Sequence, residues 1–279
     1  FYSALLVADL VLWYLLLNEL KGRNMYLRLV VLLLKAAVTV IFLTLLFRIV
    51  FYRGEFAEPA NAFRQIQMGA MALLLLSAAG ASLLVTLFAG IVRSFLRKRA
   101  KNRRQNILIN TIIFVLVVAF VADGYFRQRL VIRFVRQEVK VPDLDPALDG
   151  LKIVLISDLH LSSWQGKYQL LDQAMEKVGK ENPDLVLNTG DFITYGWQEF
   201  GSCDTILRKG AGQAGSFAVY GNHDDGSYYP SYDRDYGLLC REMVKQKVEA
   251  SGYTLLRDSA LTVSVHGTEI AVAGVETHG

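Results

Sequence analysis

The sequence predicts an α/β sheet domain in the second half of the chain, preceded by a four-helix transmembrane unit. The first observation is composition, because 53% of the 279 residues are hydrophobic and the mean hydropathy of +0.30 is high for a soluble domain. The second is charge: residues 1–149 hold 19 Lys and Arg against 9 Asp and Glu, a net of +10, whereas residues 150–279 carry a net of −6. The third is that strand and helix patterns alternate only after residue 150. Because the basic half is also the apolar half, its charge indicates membrane topology and not nucleic-acid binding.

Four long apolar segments make up the predicted transmembrane domain, residues 1–126. They cover about residues 1–17, 27–51, 66–92 and 107–126. None contains proline, and each approaches the ~20 residues that a helix needs to cross a bilayer. Since the chain starts with Phe1 and not with methionine, we expect a longer protein to extend beyond its N-terminus.

Positive charge in the loops predicts how these segments are oriented. Residues 93–104, between the third and fourth segments, include seven lysines and arginines and no acid, which is typical of a cytoplasmic loop. The fourth segment then leads out of the cytoplasm, so we expect a multi-pass protein of the cell membrane with its sheet domain outside. Four arginines between residues 127 and 136 oppose this orientation, and we interpret them as lying along anionic lipid headgroups.

Two charged residues lie inside the predicted membrane segments. Asp9 and Lys35 are each eight residues from the cytoplasmic end of their segment, so they lie at matching depth in adjacent antiparallel helices. A charge in a membrane is costly unless it is paired. We predict a structural Asp9–Lys35 ion pair; the alternative is that Lys35 extends to the interface and Asp9 is protonated.

A juxtamembrane basic segment and a linker, residues 127–150, precede the sheet domain, which we assign to residues 151–279. Pro142, Pro146 and Gly150 interrupt regular structure in the linker, and its acids favour solvent. The two cysteines of the following domain, Cys203 and Cys240, fit no Cys-x-x-Cys pattern. They either form a disulfide or are two buried thiols.

Apolar patterns predict the elements of the sheet domain in order. We expect strands over residues 153–156, 184–188, 217–220, 261–265 and 269–273, helices over residues 167–180 and 237–251, and a turn at His266 and Gly267. The first strand is a short aliphatic run, so we expect it to be fully buried.

Polar residues follow the first three of these strands. Asp158 and His160 follow the first, Asp191 the second, and the triplet Asn222–Asp224 the third. In an extended chain, residues i and i+2 point the same way, so Asp158 and His160 should project together and suit a transition metal. Each motif alone is a common turn, but the three recur about 30 residues apart, which is one strand–helix–strand unit each.

These three blocks resemble the signature of the calcineurin-like metallophosphoesterase family, in its membrane-associated bacterial branch. The family pattern is D-x-H, then G-D, then G-N-H followed by an acid. The chain matches it at residues 158–160, 190–191 and 221–224. The resemblance implies an α/β sheet domain that hydrolyses phosphoric ester bonds with two divalent metal ions, and the mixed ligands suit manganese, iron or zinc.

The resemblance also implies a set of metal ligands. Asp158 and His160 would bind the first ion, Asp191 would bridge both ions, and Asn222 would bind the second through its amide oxygen. Such a pair of ions activates a water molecule and polarises the phosphoryl oxygens.

Two further residues take catalytic roles by the same resemblance. His223 would donate to the leaving oxygen or stabilise the pentacoordinate phosphorus, and Asp224 would orient His223.

Part of the family pattern is missing from the chain. The family has a further histidine after a later strand and a Gly-His-x-His block near its C-terminus, and neither is present. Residues 274–276 resemble the Gly-Val-Asp segment that precedes them, so we expect the site to be completed beyond Gly279. His266, in a turn, and His278, near the end, are poor substitutes.

Two functions are compatible with the sequence. The first is a membrane-anchored, metal-dependent phosphoesterase acting on a phosphate ester or pyrophosphate, with a lipid-linked substrate favoured by the nearby bilayer. The second is a multi-pass membrane protein whose phosphoesterase-like head is a non-catalytic binding module. The presence of four ligand positions together favours the first.

Overall fold

The structure, a computed structural model, describes residues 2–22, 24–50, 58–72, 122–229 and 232–276, and also positions 74, 80, 112, 115, 116, 119 and 120. The chain divides into two compact units. One is made from residues 1–53 and 67–131, and the other from residues 54–66 and 132–279.

Two long helices begin the first unit. Helix α1 spans Tyr2–Glu19 and helix α2 spans Met25–Val50. Lys35 Nζ lies 2.5 Å from Asp9 Oδ1 and donates to the Thr39 hydroxyl at 2.8 Å. The predicted ion pair between Asp9 and Lys35 is therefore confirmed, and a hydroxyl on the same helix as Lys35 shares in it.

One of the predicted membrane segments is supported. Within the described residues, Arg28–Arg48 is the single helical stretch long and apolar enough to cross a membrane, and Asp9–Asn18 is apolar but shorter. Most of the third and fourth predicted segments, residues 66–92 and 107–126, lies outside the described residues. The structure therefore does not support the four-helix transmembrane unit as a whole.

The second unit contains a parallel sheet and a separate antiparallel hairpin. The sheet has the order β1 (Ile153–Ile156), β2 (Leu185–Asn188), β3 (Gly215–Ala218) and β4 (Thr254–Leu255). The hairpin joins β5 (Ser259–Val265) to β6 (Thr268–Gly274) through His266 and Gly267, both with positive φ, as a tight hairpin turn requires. The predicted α/β sheet domain is thus confirmed.

A helix lies in each connection between parallel strands. These helices are α3 (Tyr168–Lys180), α4 (Cys203–Leu207) and α5 (Arg234–Ala250). Helix α5 begins earlier than the sequence predicts because the Asp233 carboxylate accepts the backbone N–H of Tyr236 at 2.7 Å and caps the helix. Short 3-10 helices occupy Gln128–Leu130, Pro146–Leu148, Leu161–Trp164, Trp197–Phe200 and Arg208–Gly210.

The two faces of the sheet are covered by different elements. Successive strand residues point to opposite faces. Val186 packs in one core with Met175 of α3 and Val244 of α5. Its neighbour Leu185 packs in a second core with Val265 of the hairpin. The sheet of the second unit therefore has helices on one side and the hairpin on the other.

Strand β1 lies at the edge of the sheet. In the described part of the chain it pairs with β2 alone, and its residues Ile153 and Leu155 are 50% and 67% exposed. The prediction of a fully buried strand is wrong here because the core beneath the hairpin does not extend to β1. The opposite side chains, Val154 and Ile156, are partly buried against the helices.

Part of the linker is buried, and the two cysteines do not form a disulfide. Leu148, at the end of the linker, is buried in the core beneath the hairpin. Cys203 and Cys240 are two buried free thiols, and burial raises the pKa of each to about 12.

Candidate metal centre

Three loops meet at the carboxyl ends of β1, β2 and β3. The backbone N–H of Asp158 donates to the Gly190 carbonyl at 3.1 Å, and that of His160 donates to the Asp191 carbonyl at 2.9 Å. The backbone N–H of His223 donates to Asp191 Oδ1 at 3.0 Å. Two main-chain bonds and one bond to the Asp191 carboxylate therefore fix the three loops to one another at the edge of the sheet where parallel α/β folds bind ligands.

Three of the predicted site residues have a left-handed backbone. The φ angles are 54° at Asp158, 40° at His160 and 57° at Asp191. This conformation is uncommon for residues with a side chain and is typical of functional sites. It corrects the expectation that strand alternation aligns Asp158 with His160. Strand β1 ends at Ile156, and the two side chains converge because the chain turns sharply beyond it.

Two glycines allow the loops to approach. A Cβ atom on Gly190 would overlap the backbone of Gly221, and a Cβ atom on Gly221 would overlap the carboxylate and the backbone nitrogen of Asp191. Gly190 also has a φ of +95°, a conformation that side chains disfavour. The backbone of the β3 loop can therefore lie directly against Asp191.

His160, Asp191 and His223 form a compact cluster of metal-binding groups. One ligand atom from each lies within 4.8 Å of the others. His160 Nε2 is 3.8 Å from Asp191 Oδ2 and 4.0 Å from Asp158 Oδ1. Imidazoles and carboxylates together suit a divalent transition metal. The structure thus brings Asp158, His160 and Asp191 together and adds His223, which sequence reasoning assigned to catalysis alone.

The tautomers of the two imidazoles follow from their partners. His160 Nδ1 is 3.1 Å from the Ile193 carbonyl oxygen, and His223 Nδ1 is 2.9 Å from the Thr194 carbonyl oxygen. A carbonyl oxygen can only accept, so Nδ1 carries the proton in both rings. Nε2 of each ring is left as the ligand or proton-carrying atom, which is the usual arrangement of metal-binding histidines.

The family model for calcineurin-like phosphoesterases matches residues 151–276, the segment that contains the sheet and all three loops. Residues 151–276 are a calcineurin-like phosphoesterase domain. The recognition made from the three sequence blocks is therefore confirmed.

Curated relatives share this domain. The uncharacterized metallophosphoesterase YkuE of Bacillus subtilis is 32% identical over 133 residues, which is 46% of this chain and 42% of the relative. A transmembrane protein with metallophosphoesterase domain from Danio rerio is 33% identical over 87 residues, 31% of this chain and 20% of the relative. The UDP-2,3-diacylglucosamine pyrophosphatase LpxG of Chlamydia muridarum is 34% identical over 98 residues, 35% of this chain and 30% of the relative.

The chain thus spans less than half the length of each of these relatives. No solved structure matches it. The domain and the relatives together support the prediction of a hydrolase that acts on phosphoric ester bonds.

In the phosphoesterase domain, Asp224 is a buried anchor of the loops. Its two carboxylate oxygens accept the backbone N–H groups of residues 191–193 and Gly221 at 2.8–3.3 Å. Burial raises its pKa from 3.8 to about 7, although these donors act in the opposite direction. The sequence predicts Asp224 beside the His223 ring, but both its oxygens are engaged by the main chain. The ring of His223 is oriented by the Thr194 carbonyl instead.

Asn222 is exposed, and its side chain contacts a residue that sequence reasoning missed. Its Nδ2 donates to the Tyr228 hydroxyl at 2.9 Å. The Tyr228 ring in turn stacks on His223, with centroids 3.9 Å apart and planes inclined by 13°.

Glu199 and Thr194 also escaped prediction. Glu199 is fully buried, and its carboxylate accepts the backbone N–H groups of Ser162 and of residues 194–196 at 2.6–3.3 Å. Burial raises the pKa of Glu199. The Thr194 hydroxyl lies 3.3 Å from His160 Nδ1. The sequence offered only the Gly-x-x-Glu spacing at residues 196–199, which supplies the glutamate half of a helix capping box, since glycine has no side chain for the other half.

Proposed function

We propose that this protein is a metal-dependent hydrolase of phosphate ester or pyrophosphate bonds. The observation that carries the proposal is the meeting of the three strand-end loops, which bring ligand atoms of His160, Asp191 and His223 within 4.8 Å of one another. Three metal-binding side chains from separate loops meet at one point of the sheet edge, which separate turns do not require.

We assign Asp158, His160, Asp191 and Asn222 as the residues that hold two divalent metal ions, of manganese, iron or zinc. The donor set fits such ions because it combines carboxylate oxygens, an amide oxygen and an imidazole nitrogen whose tautomer is fixed. When bound, the ions supply Lewis acidity to the phosphoryl oxygens and to the attacking water.

The remaining groups of the chain hold and move protons. His223 is assigned to donate a proton from Nε2 to the leaving oxygen when both of its ring nitrogens carry a proton, because its Nδ1–H stays bound to the Thr194 carbonyl. Asp224 acts as a positioning residue, since it binds the backbone of the Asp191 loop and of Gly221 together.

For the substrate, we propose a lipid-linked phosphate or pyrophosphate. LpxG is named for a pyrophosphatase that acts on UDP-2,3-diacylglucosamine, and two relatives are named as transmembrane proteins. Helix α2 contains an apolar stretch long enough to cross a bilayer. We accordingly propose a cell-membrane protein with several spans and an extracytoplasmic phosphoesterase domain.

The test is hydrolysis of bis(4-nitrophenyl) phosphate and of a lipid-linked pyrophosphate by the full chain in detergent with Mn²⁺. We expect Asp191→Asn to lower kcat by about 100-fold or more, because it replaces the central carboxylate of the cluster with a neutral amide that binds metal ions more weakly. Asp235→Asn, at an exposed position of α5, is the matched control and should leave kcat unchanged.

Full activity in Asp191→Asn would overturn the proposed mechanism. A wild-type chain that binds Mn²⁺ and the phosphate ester without hydrolysing either substrate would favour a non-catalytic binding module instead.

A further inference from the structure

Tyr228 touches two residues of the candidate metal centre at once. Its ring stacks on the imidazole of His223 at 3.9 Å, and its hydroxyl accepts the amide N–H of Asn222 at 2.9 Å. Neither the three family blocks nor the proposed function assigns it a role. We propose that Tyr228 is a positioning residue that orients Asn222 towards the metal and holds the His223 ring; this inference rests on the proposed function.

The contact with Asn222 engages one end of its amide and leaves the other end open. An asparagine side chain ends in a donor nitrogen and an acceptor oxygen, and only the oxygen binds a cation. Because Nδ2 is engaged by the Tyr228 hydroxyl, Oδ1 is the atom left for a metal ion. Without that partner, the exposed Asn222 side chain can rotate and present either end.

The contact with His223 completes a three-sided enclosure of the ring. Its Nδ1 is bound by the Thr194 carbonyl, its ring lies at 90° to the ring of His160 with centroids 4.8 Å apart, and Tyr228 covers a face. Together these contacts restrict rotation of the ring, so the direction of Nε2 is set.

The loop that carries Tyr228 is folded back by its own bonds. The N–H of Gly226 donates to the His223 carbonyl at 3.0 Å, and the N–H of Ser227 donates to Asp225 Oδ1 at 2.8 Å. Gly226 has a φ of +73°, which permits the reversal. The return of the loop places residue 228 beside residue 222.

Packing alone does not account for Tyr228. Its side chain is 50% exposed and belongs to neither hydrophobic core, so it adds little to stability. Its neighbour Tyr229 also stacks on an aromatic ring, that of Tyr236 at 4.6 Å, but makes no contact with the centre among the described residues. Tyr229 is therefore a matched control.

The experiment compares Tyr228→Phe, Tyr228→Leu and Tyr229→Leu in the full chain in detergent. Mn²⁺ affinity is measured by calorimetry, kcat and KM by hydrolysis of bis(4-nitrophenyl) phosphate, and Tm by thermal unfolding. Tyr228→Phe keeps the stack and loses the hydroxyl, so it should weaken Mn²⁺ binding by ~3–10-fold with little change in Tm. Tyr228→Leu should also lower kcat by ~10–100-fold, as loss of outer contacts to a metal centre does. Tyr229→Leu should leave Mn²⁺ affinity and kcat as in the wild type.

Wild-type Mn²⁺ affinity in both Tyr228 variants would overturn the inference and leave the proposed function standing. A loss of Mn²⁺ affinity in Tyr229→Leu as large as that in the Tyr228 variants would overturn it too, since the loss would then come from general disturbance of the loop. Mn²⁺ binding that weakens in Tyr228→Phe, in a chain without hydrolytic activity, would uphold the inference and overturn the proposed function. A wild-type chain that binds no Mn²⁺ would overturn both.

Discussion

At the scale of single residues, the buried carboxylate of Asp224 holds together two loops of the candidate metal centre through hydrogen bonds to their backbone. It is fully buried, and each of its oxygens accepts two backbone N–H groups from the loops after β2 and β3. A carboxylate has enough lone pairs for all four donors, whereas an amide has an acceptor at one end only. A carboxylate can therefore join the two loops through four acceptor sites, which an amide cannot do.

The balance of donors and acceptors around Asp224 predicts the effect of Asp224→Asn. The new NH₂ group would face two N–H donors, so at least one buried donor would lose its partner. We expect a loss of about 3 kcal/mol in the free energy of unfolding and weaker Mn²⁺ binding, measured by denaturant unfolding and calorimetry. Asp225→Asn is the control, because Asp225 Oδ1 accepts the single N–H of Ser227. A change below about 0.5 kcal/mol in Asp224→Asn would show that the four bonds do not stabilise the loops.

The sequence predicted which of these residues lie close together better than it predicted their hydrogen-bond partners. Asp158, His160 and Asp191 could be found because each follows an apolar strand, and parallel strands end at one edge. The partners of His223 could not be found, since Thr194 is 29 residues away in an irregular loop with no periodic pattern. The role of Asp224 depends on main-chain donors, which side-chain identities do not reveal.

At the scale of secondary structure elements, the hairpin turn between β5 and β6 holds the linker against the sheet. His266 Nε2 lies 2.8 Å from Asp184 Oδ1, and its Nδ1 lies 3.1 Å from the Ala147 carbonyl oxygen. Thr268 donates to Asp145 Oδ2 at 3.1 Å. Leu148 is buried beside this contact, so the linker is part of the folded domain and not a free tether.

The charges at this contact predict how stability depends on pH. The hydrogen bond to Asp184 and the Ala147 carbonyl raise the pKa of His266 above 6.5. Burial alone would raise the pKa of Asp184, but hydrogen bonds from Lys152 and His266 lower it below 3.8. The contribution of His266 to the free energy of unfolding is therefore full below pH 6.5 and is lost as the pH rises through its raised pKa. That of Asp184 is present above pH 3.8 and is lost only at more acidic pH.

We therefore expect His266→Gln to destabilise the domain most near pH 5 and to approach the wild type at alkaline pH. Thermal unfolding between pH 4.5 and 9 measures the difference. Thr268→Val removes a bond of the same contact without a titrating group, so its effect on Tm should not vary with pH in this range. A His266→Gln effect that stays constant across the range would exclude the ion pair as its cause.

Local patterns and the environment contributed differently to these elements. Alternation and turn residues predicted the hairpin and its turn, because both depend on residues close in sequence. The exposure of β1 could not be predicted, since an aliphatic run has the same pattern at an edge as at the centre of a sheet. The exposure of β1 depends on whether the hairpin covers this strand. Ile153 and Leu155 lie beyond the core that the hairpin covers.

At the scale of the whole molecule, the two units follow opposite rules of burial. In the phosphoesterase domain, large apolar residues such as Phe192 and Phe200 are fully buried. On helix α2, Leu29, Leu33 and Val40 are 55–61% exposed, while the charged pair is mostly enclosed. Apolar residues outside and charges inside are typical of helices in lipid, which supports the proposed membrane location.

The enclosed charges of the first unit provide the test of that arrangement. Lys35 is 2.5 Å from Asp9, Thr39 donates to Asp9 Oδ2 at 3.1 Å, and the Trp13 indole donates to Thr39 at 3.0 Å. The side chains of Lys35 and Asp9 are only 15% and 17% exposed, so removing either charge leaves the other enclosed without its oppositely charged partner. We expect Asp9→Asn or Lys35→Met each to cost about 3 kcal/mol of stability in lipid bicelles.

The exchanged pair, Asp9→Lys with Lys35→Asp, should recover much of that loss, because opposite charges again lie between α1 and α2. Recovery should be incomplete, since Thr39 lies one turn beyond residue 35 and would no longer bridge the two charges as it does here. Unfolding of the full chain in bicelles, followed by tryptophan fluorescence, compares the single and double variants with the wild type. A double variant no more stable than the single ones would show that the two charges act separately.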